Sequence, residues 1–368
     1  MNRQELFYLI ALLQIKGVGN ITARNLIAIT GSCEAIFKEK PSNLLRIQGI
    51  GSNTVQEIQK ANMAKAAKEI EFIEKNNIAT FTYSDENYPS RLNDCVDAPL
   101  LLYYKGNAAL NAVKTISLVG TRNATEYGKE LSERLIADLS DKYPELLVIS
   151  GLAYGIDIAA HKAALKHNLP TIGIIAHGLD RIYPATHRKT AVEMVSHGGL
   201  LTEYPSGTNP DRQNFVMRNR IIAGLSDAVI VVESAEKGGA LITAEVANSY
   251  NRDVFAFPGR TTDVSSRGCN NLILQNKASL IQSAEDLINL MGWDKVSSTN
   301  KVVQQQLFLD LTEEEQLITN LLKENTPKQI NLLSIESNLP VYRLSPILLE
   351  LEFKGLVKCM PGGTYSLR

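Results

Sequence analysis

The sequence predicts an α/β protein: a doubly wound parallel sheet, preceded by a helical domain and followed by a winged helix. Three observations carry this. Seven short apolar, mostly β-branched runs alternate with helical segments between residues 115 and 281. A duplicated pattern of apolar helix, G-h-G and polar helix start fills residues 12–58. Residues 306–368 read as three helices, then a strand, a turn and a strand. The length of 368 residues agrees, since domains of roughly 100–200 residues would give about two or three.

Composition narrows the class. Hydrophobic residues make up 44% and charged residues 21%, which excludes disordered and fibrous chains. The four cysteines lie far apart with no C-x-x-C pair, which excludes zinc-ribbon and thioredoxin spacings and fits a cytoplasmic protein. The five histidines include no i,i+4 pair and no H-E-x-x-H, so neither a metal site nor a cofactor is expected. No apolar run reaches 18 residues, and no membrane association is expected. Leu6–Leu13 reads as a buried helix rather than a signal segment, because Glu5 precedes it and Gln14-Ile15-Lys16-Gly17 follows. The net charge of −1 excludes a basic coat over the whole surface. Residues 1–75 carry 10 basic and 7 acidic groups, 76–305 carry 22 and 24, and 306–368 carry 6 and 8. A polyanion site must therefore be a local cluster.

In the first domain (1–75), LLQIKGVGNITARNLI (12–27) aligns with LLRIQGIGSNTVQEI (44–58). This pattern resembles the helix-hairpin-helix of SAM-like domains. Its glycines permit a tight turn and close approach of backbone N–H groups to a phosphate. Few lysines or arginines flank the turns, so packing of a small helical domain is the equal alternative. Residues 293–305 are polar and unpatterned, a linker. Beyond it, Thr312-Glu313-Glu314-Glu315 is a capping box, opening a helix with Leu317, Ile318, Leu321 and Leu322 inward. A second helix lies near 332–337. The third runs from about Tyr342 to Lys354, with Pro346 placed near its first turn. Winged helices often bind DNA through the third helix. The acidic balance here, with Glu350 and Glu352 on that helix, favours a protein-contact or spacer role instead.

The core (76–292) holds the strands TISLV (115–119), LLVI (146–149), TIGIIA (171–176), GLLT (199–202), AVIVV (228–232), VFAF (254–257) and SLI (279–281). Such runs, buried on both faces and joined by helices, make a parallel sheet. Small and polar residues follow them: Gly120-Thr121-Arg122, Ser150-Gly151, His177-Gly178-Leu179-Asp180, Glu203 with a long loop, Glu233 to Gly239, and Pro258-Gly259-Arg260. Ligands of doubly wound sheets bind at those carboxyl ends. V-G-T-R-N is not a dinucleotide fingerprint, and no G-x-x-x-x-G-K-[ST] or G-x-S-x-G is present. The loop at 204–224 gathers Arg212, Arg218 and Arg220 around Phe215, with Asn214 and Asn219 between. Guanidinium groups hold phosphates and an aromatic stacks on a base, which together form a single-strand binding surface. The alternative is a core Phe215 with arginines paired to Asp211, Glu203 or Glu233.

The segments VGTRNATEYG (119–128), SGLAYGIDIAAHKAAL (150–165), IAHGLDRIYPATHRK (175–189), 200–247 and FAFPGR (255–260) together resemble the DNA-processing protein A (DprA/Smf) family. The resemblance implies an extended Rossmann fold that binds single-stranded DNA and loads the RecA recombinase onto it in natural transformation. It also implies a homodimer without catalytic activity. Gly120, Thr121 and Arg122 of V-G-T-R are implied DNA contacts, Arg122 through phosphate. F-x-x-R-N-R implies Phe215 as the stacking residue, with Asn214, Asn219, Arg218 and Arg220 along the backbone, and Arg212 stands where the family often has a basic residue. Lys237, Gly238 and Gly239 match the K-S-G-S loop.

The chain departs from the family at Tyr154, where arginine is common, and at Gly238 and Ala240, which replace serines. The competing reading is a nucleotide-cleaving Rossmann enzyme similar to the lysine-decarboxylase-like phosphoribohydrolases. Their P-G-G-x-G-T loop has no counterpart in the core, where Pro258-Gly259 leads to Arg260.

Overall fold

The computed structural model describes residues 1–293, 311–323, 327–360 and 363–367. Residues 1–293 belong to one compact unit and the described residues from 311 onward to a second.

The first unit is built on a nine-stranded sheet. Its strands are β1 (Ala79–Thr82), β2 (Leu101–Gly106), β3 (Thr115–Val119), β4 (Leu147–Ser150), β5 (Thr171–Ile174), β6 (Gly198–Thr202), β7 (Ala228–Val231), β8 (Asp253–Ala256) and β9 (Ser279–Leu280), in the order β1-β2-β6-β5-β4-β3-β7-β8-β9. All seven predicted strands are present, and β6 through β9 run parallel. Every residue of β3, β4, β5 and β7 is buried, as strands covered on both faces require. An antiparallel pair that the sequence reading missed extends one edge: β2 joins β6 and β1 joins β2. The chain builds outward from β3 to β6 and then returns to place β7 on the other side of β3. The topological switch point therefore lies between β3 and β7, where such sheets open a crevice.

The duplicated hairpins are both present. Gly17 and Gly49 take φ of +86° and +84°, a backbone that glycine adopts without strain. Gly19 and Gly51 then start the helices Asn20–Thr30 and Ser52–Gln59. The turn hydrogen bonds repeat as well, from Val18 N to Ile15 O and from Ile50 N to Ile47 O, each 3.1 Å. The first hairpin faces the sheet. Asn20 Oδ1 accepts from Leu100 N at 2.9 Å, and its Nδ2 donates to Glu203 Oε2 at 3.3 Å. The helix Met63–Lys75 is pinned to the segment after β6, because Glu69 accepts from the amide of Ser206 at 3.0 Å and from its hydroxyl. Leu100, Leu101 and Tyr103 belong to the apolar core of the helical layer, so that layer and the sheet share an interior.

In the second unit, helices Glu313–Leu322, Ile330–Ser337 and Val341–Phe353 pack with β10 (Lys328–Gln329), β11 (Val357–Met360) and β12 (Thr364–Leu367) in the order β10-β12-β11. The predicted capping box is made, with Thr312 and Glu315 bonding reciprocally. Ile318 and Leu322 are buried, but Leu317 is exposed. Pro346 lies inside the third helix, which starts at Val341, one residue earlier than expected, so the proline falls just past the first turn. The carbonyl it leaves without an intrahelical donor is that of exposed Tyr342, which solvent can reach. The exposed face of this helix carries Tyr342, Leu349 and Phe353. The predicted linker lies, apart from Trp293, outside the described residues, as do Pro361 and Gly362 of the terminal turn.

Candidate nucleic-acid interface

Three loops meet over the carboxyl ends of β3, β4 and β7. Thr121 N donates to Glu233 O at 2.8 Å, which joins the loop after β3 to that after β7. The buried Glu233 carboxylate accepts from the amide and hydroxyl of Thr125 at 2.9 and 2.6 Å. Thr125 in turn caps the helix Glu126–Lys142. Gly155, at φ +79°, opens the helix after β4, and a Cβ there would stand 2.1 Å from Thr121 O. Only glycine lets these loops approach so closely.

Above the loops lies a cavity of about 940 Å³. Gly120, Thr121 and Arg122 line it from the β3 side, and Lys237, Gly238 and Gly239 from the β7 side. Gly238 starts the helix Gly239–Ser249 without a side-chain cap, so first-turn amides are open to an anion.

The third wall is the helix Arg212–Gly224, which corrects the reading of 204–224 as a loop. Proline, glycine and asparagine concentrate in its first part, but a continuous helix begins at Arg212 and buries Ile221, Ile222 and Ala223. Helical spacing then sorts the basic residues. Arg212, Phe215, Arg218 and Asn219 fall three or four residues apart on one face, and all four line the cavity.

Phe215 is half-buried there. The Arg122 guanidinium lies 5.1 Å from its ring centroid, that of Arg218 lies 5.7 Å away, and the Tyr183 ring is 5.9 Å away at 56°. Both cations are within cation–π range. Arg122, Arg212 and Lys237 are exposed. Arg218 forms the floor: it is 3% exposed and donates Nη1 to Gly151 O at 2.5 Å and to Ile174 O. Burial lowers its guanidinium to about 10, against the pull of the nearby Asp157 carboxylate, so it remains charged at neutral pH. Burial pushes the Asp157 carboxyl up, and Arg218 opposes that shift.

Two predicted residues stand apart from the cavity lining. Arg220, five residues beyond Phe215, points into the protein. Its Nη2 donates to Glu203 and its Nη1 to Asp97 O at 2.7 Å. This is the acid pairing that the sequence left open. Asn214 donates Nδ2 to Asn209 O at 3.0 Å, fixing the segment before the helix. Asn219 Nδ2 reaches Gly239 O at 3.3 Å and ties two walls together. The sequence reading did not single out Tyr183, which lines the cavity and touches Phe215. An aromatic directly before a proline, in the segment between β5 and the helix Arg188–His197, was the available signal.

Among the described residues, no three His, Cys, Asp or Glu side chains converge as a metal site. No described helix is long and apolar enough to cross a membrane.

A family model described as DNA recombination-mediator protein A matches residues 79–292, and a DprA winged helix domain model matches 306–363. Protein Smf of Synechocystis is 36% identical over 297 residues, covering 79% of this chain and 74% of that protein. The DNA processing protein DprA of Streptococcus pneumoniae is 42% identical over 209 residues, 57% of this chain and 73% of that one. The X-ray structure of the pneumococcal protein superposes with a TM-score of 0.67 at 34% identity, over 77% of this chain and 97% of that chain. A structure of DNA processing protein A from Helicobacter pylori, described for its single-stranded DNA binding mode, gives 0.53 at 31% identity over 59% and 96%.

Proposed function

Because this chain belongs to the DNA recombination-mediator protein A (DprA/Smf) family, we propose that it binds single-stranded DNA in the cavity between β3 and β7. The observation that carries this reading is Phe215, an aromatic ring within cation–π reach of both the Arg122 and Arg218 guanidinium groups. A base stacks on the ring, and flanking phosphates meet Arg122, Arg212, Lys237 and the amides at Gly238–Gly239. Such contacts read a π-face and a backbone rather than base edges, so they carry little sequence preference. Arg218 contributes charge from the floor, whereas Arg220 and Asn214 act by holding the helix Arg212–Gly224 in place. We further propose that the protein hands the strand to the RecA recombinase, acts as a homodimer in the cytoplasm, and performs no catalysis. Family membership supports these finer points.

The test is titration of the full chain with a labelled oligonucleotide, its duplex and a mononucleotide across a range of salt. With about four cations engaged, log K for the single strand falls against log salt with a slope of about −3, and the duplex binds more weakly. A preference for duplex, or binding insensitive to salt, contradicts the reading. Cleavage of the mononucleotide would favour the nucleotide-cleaving alternative.

A further inference from the structure

We propose that the strand path continues beyond this cavity, over a rim made by Tyr154 and Tyr183, into a second basic cavity that takes further phosphates of the same strand. This extension rests on the single-strand reading above.

The second cavity, of about 410 Å³, lies between the helices Ile156–Lys166 and Arg188–His197. Lys162 and Lys166, four residues apart on one helix, face Lys189 on the other, and Glu193 is the acid lining it. Lys166 is engaged by Glu133 at 2.5 Å. Lys162 and Lys189 are exposed and make no ion pair among the described residues. Two ammonium groups are therefore open to an anion. Arg188, also exposed, stands next to Lys189 in sequence.

No residue lines both cavities, but neighbouring residues link them. Ala153 lines the first, and the next residue, Tyr154, accepts a hydrogen bond from Thr186, which lines the second, at 3.4 Å. The Tyr154 ring meets His187 edge-on, with centroids 5.0 Å apart. His187 lines the second cavity and is anchored through Nδ1 to Leu152 O at 2.9 Å. Tyr183 lines the first cavity against Phe215, only three residues before Thr186. Tyr154 and Tyr183 are 47% and 46% exposed, so both rings are open to a stacking partner. Between two basic depressions they form a stacking rim, the combination that tracks a single strand.

The test compares a short oligonucleotide of about five nucleotides with one of about sixteen, which brackets the usual site sizes. Both are titrated against the full chain and its Lys162→Gln/Lys189→Gln variant across salt. The side chains are exposed, so the melting temperature should stay put. The short strand should bind both proteins equally. The long strand should bind the variant several-fold to tenfold more weakly, with a slope flatter by about 1.4 for two lost phosphate contacts. Tyr154→Ala should weaken the long strand alone and leave the slope unchanged. Equal losses at both lengths, or none at either, overturn the extension. So does saturable binding of inorganic phosphate that the double variant abolishes while long-strand affinity stays intact, since that marks a free-anion pocket. Failure of the unaltered chain to bind either strand would sink the underlying reading instead, which separates the two.

Discussion

Replacing Glu203 with alanine is expected to destabilise the first unit by about 3–5 kcal/mol, the usual effect of removing one partner of a buried ion pair. The Glu203 and Arg220 side chains are only 11% and 7% exposed. Burial pushes the Glu203 carboxyl up, and the Arg220 guanidinium opposes that shift. Without the acid, Arg220 keeps its charge, because a guanidinium does not deprotonate in a protein. It would retain only the carbonyl of Asp97 at 2.7 Å and the more distant Asp97 carboxylate at 3.8 Å. Asn20 would also lose its bond to Glu203, which loosens the first hairpin from the sheet. Thermal melts should show a drop on the order of 10 °C. A second variant, Glu203→Ala with Arg220→Met, should recover much of the loss, since an apolar pair often substitutes for an ionic one. A loss below about 1 kcal/mol, the range of a solvent-exposed pair, would show that water reaches these groups and that they do not fix the helix.

Phe215→Ala is expected to weaken single-strand binding by about 1–3 kcal/mol, the range for one stacked base. Its salt slope should stay unchanged, because no phosphate contact is removed. Stability should suffer much less than the roughly 3–5 kcal/mol of a core phenylalanine cut to alanine. The ring is half-buried in the cavity, outside the apolar clusters that cover the two faces of the sheet. Melts run beside the titration separate the two roles. A sharp loss of stability, with normal affinity in the surviving folded fraction, would make Phe215 a packing residue.

Much of this arrangement was legible in the residues. Runs such as TISLV and AVIVV could only be strands covered on both faces, and the residues after them marked the ligand-bearing edge. From that, Arg122 and Phe215 could be expected to meet, although 92 positions separate them in the chain, and they do. The edge pair β1 and β2 escaped notice. Half of β1 is only partly buried, and the pair joins by antiparallel addition rather than through a helical crossover. Arg218 and Arg220 looked equivalent within F-x-x-R-N-R. Their fates divide only once the segment is known to be helical, since positions three and five beyond Phe215 then face apart. The partner that holds Arg220, Glu203, lies at the end of another strand, so its role needed the sheet order as well as the sequence.

Arg122 offers the most direct check on whether a strand passes over the β3–β7 edge. It is exposed, lies against the Phe215 ring and feels the charges of Asp157 and Arg218, so Arg122→Ala should leave the melting temperature nearly unchanged. The affinity of this variant for a labelled single strand should be measured at several salt concentrations beside the unaltered chain. Binding should be weaker at low salt, and the slope of log K against log salt should be flatter by about 0.7, one phosphate contact. An unchanged affinity with an unchanged slope would mean that the strand does not cross this edge of the sheet.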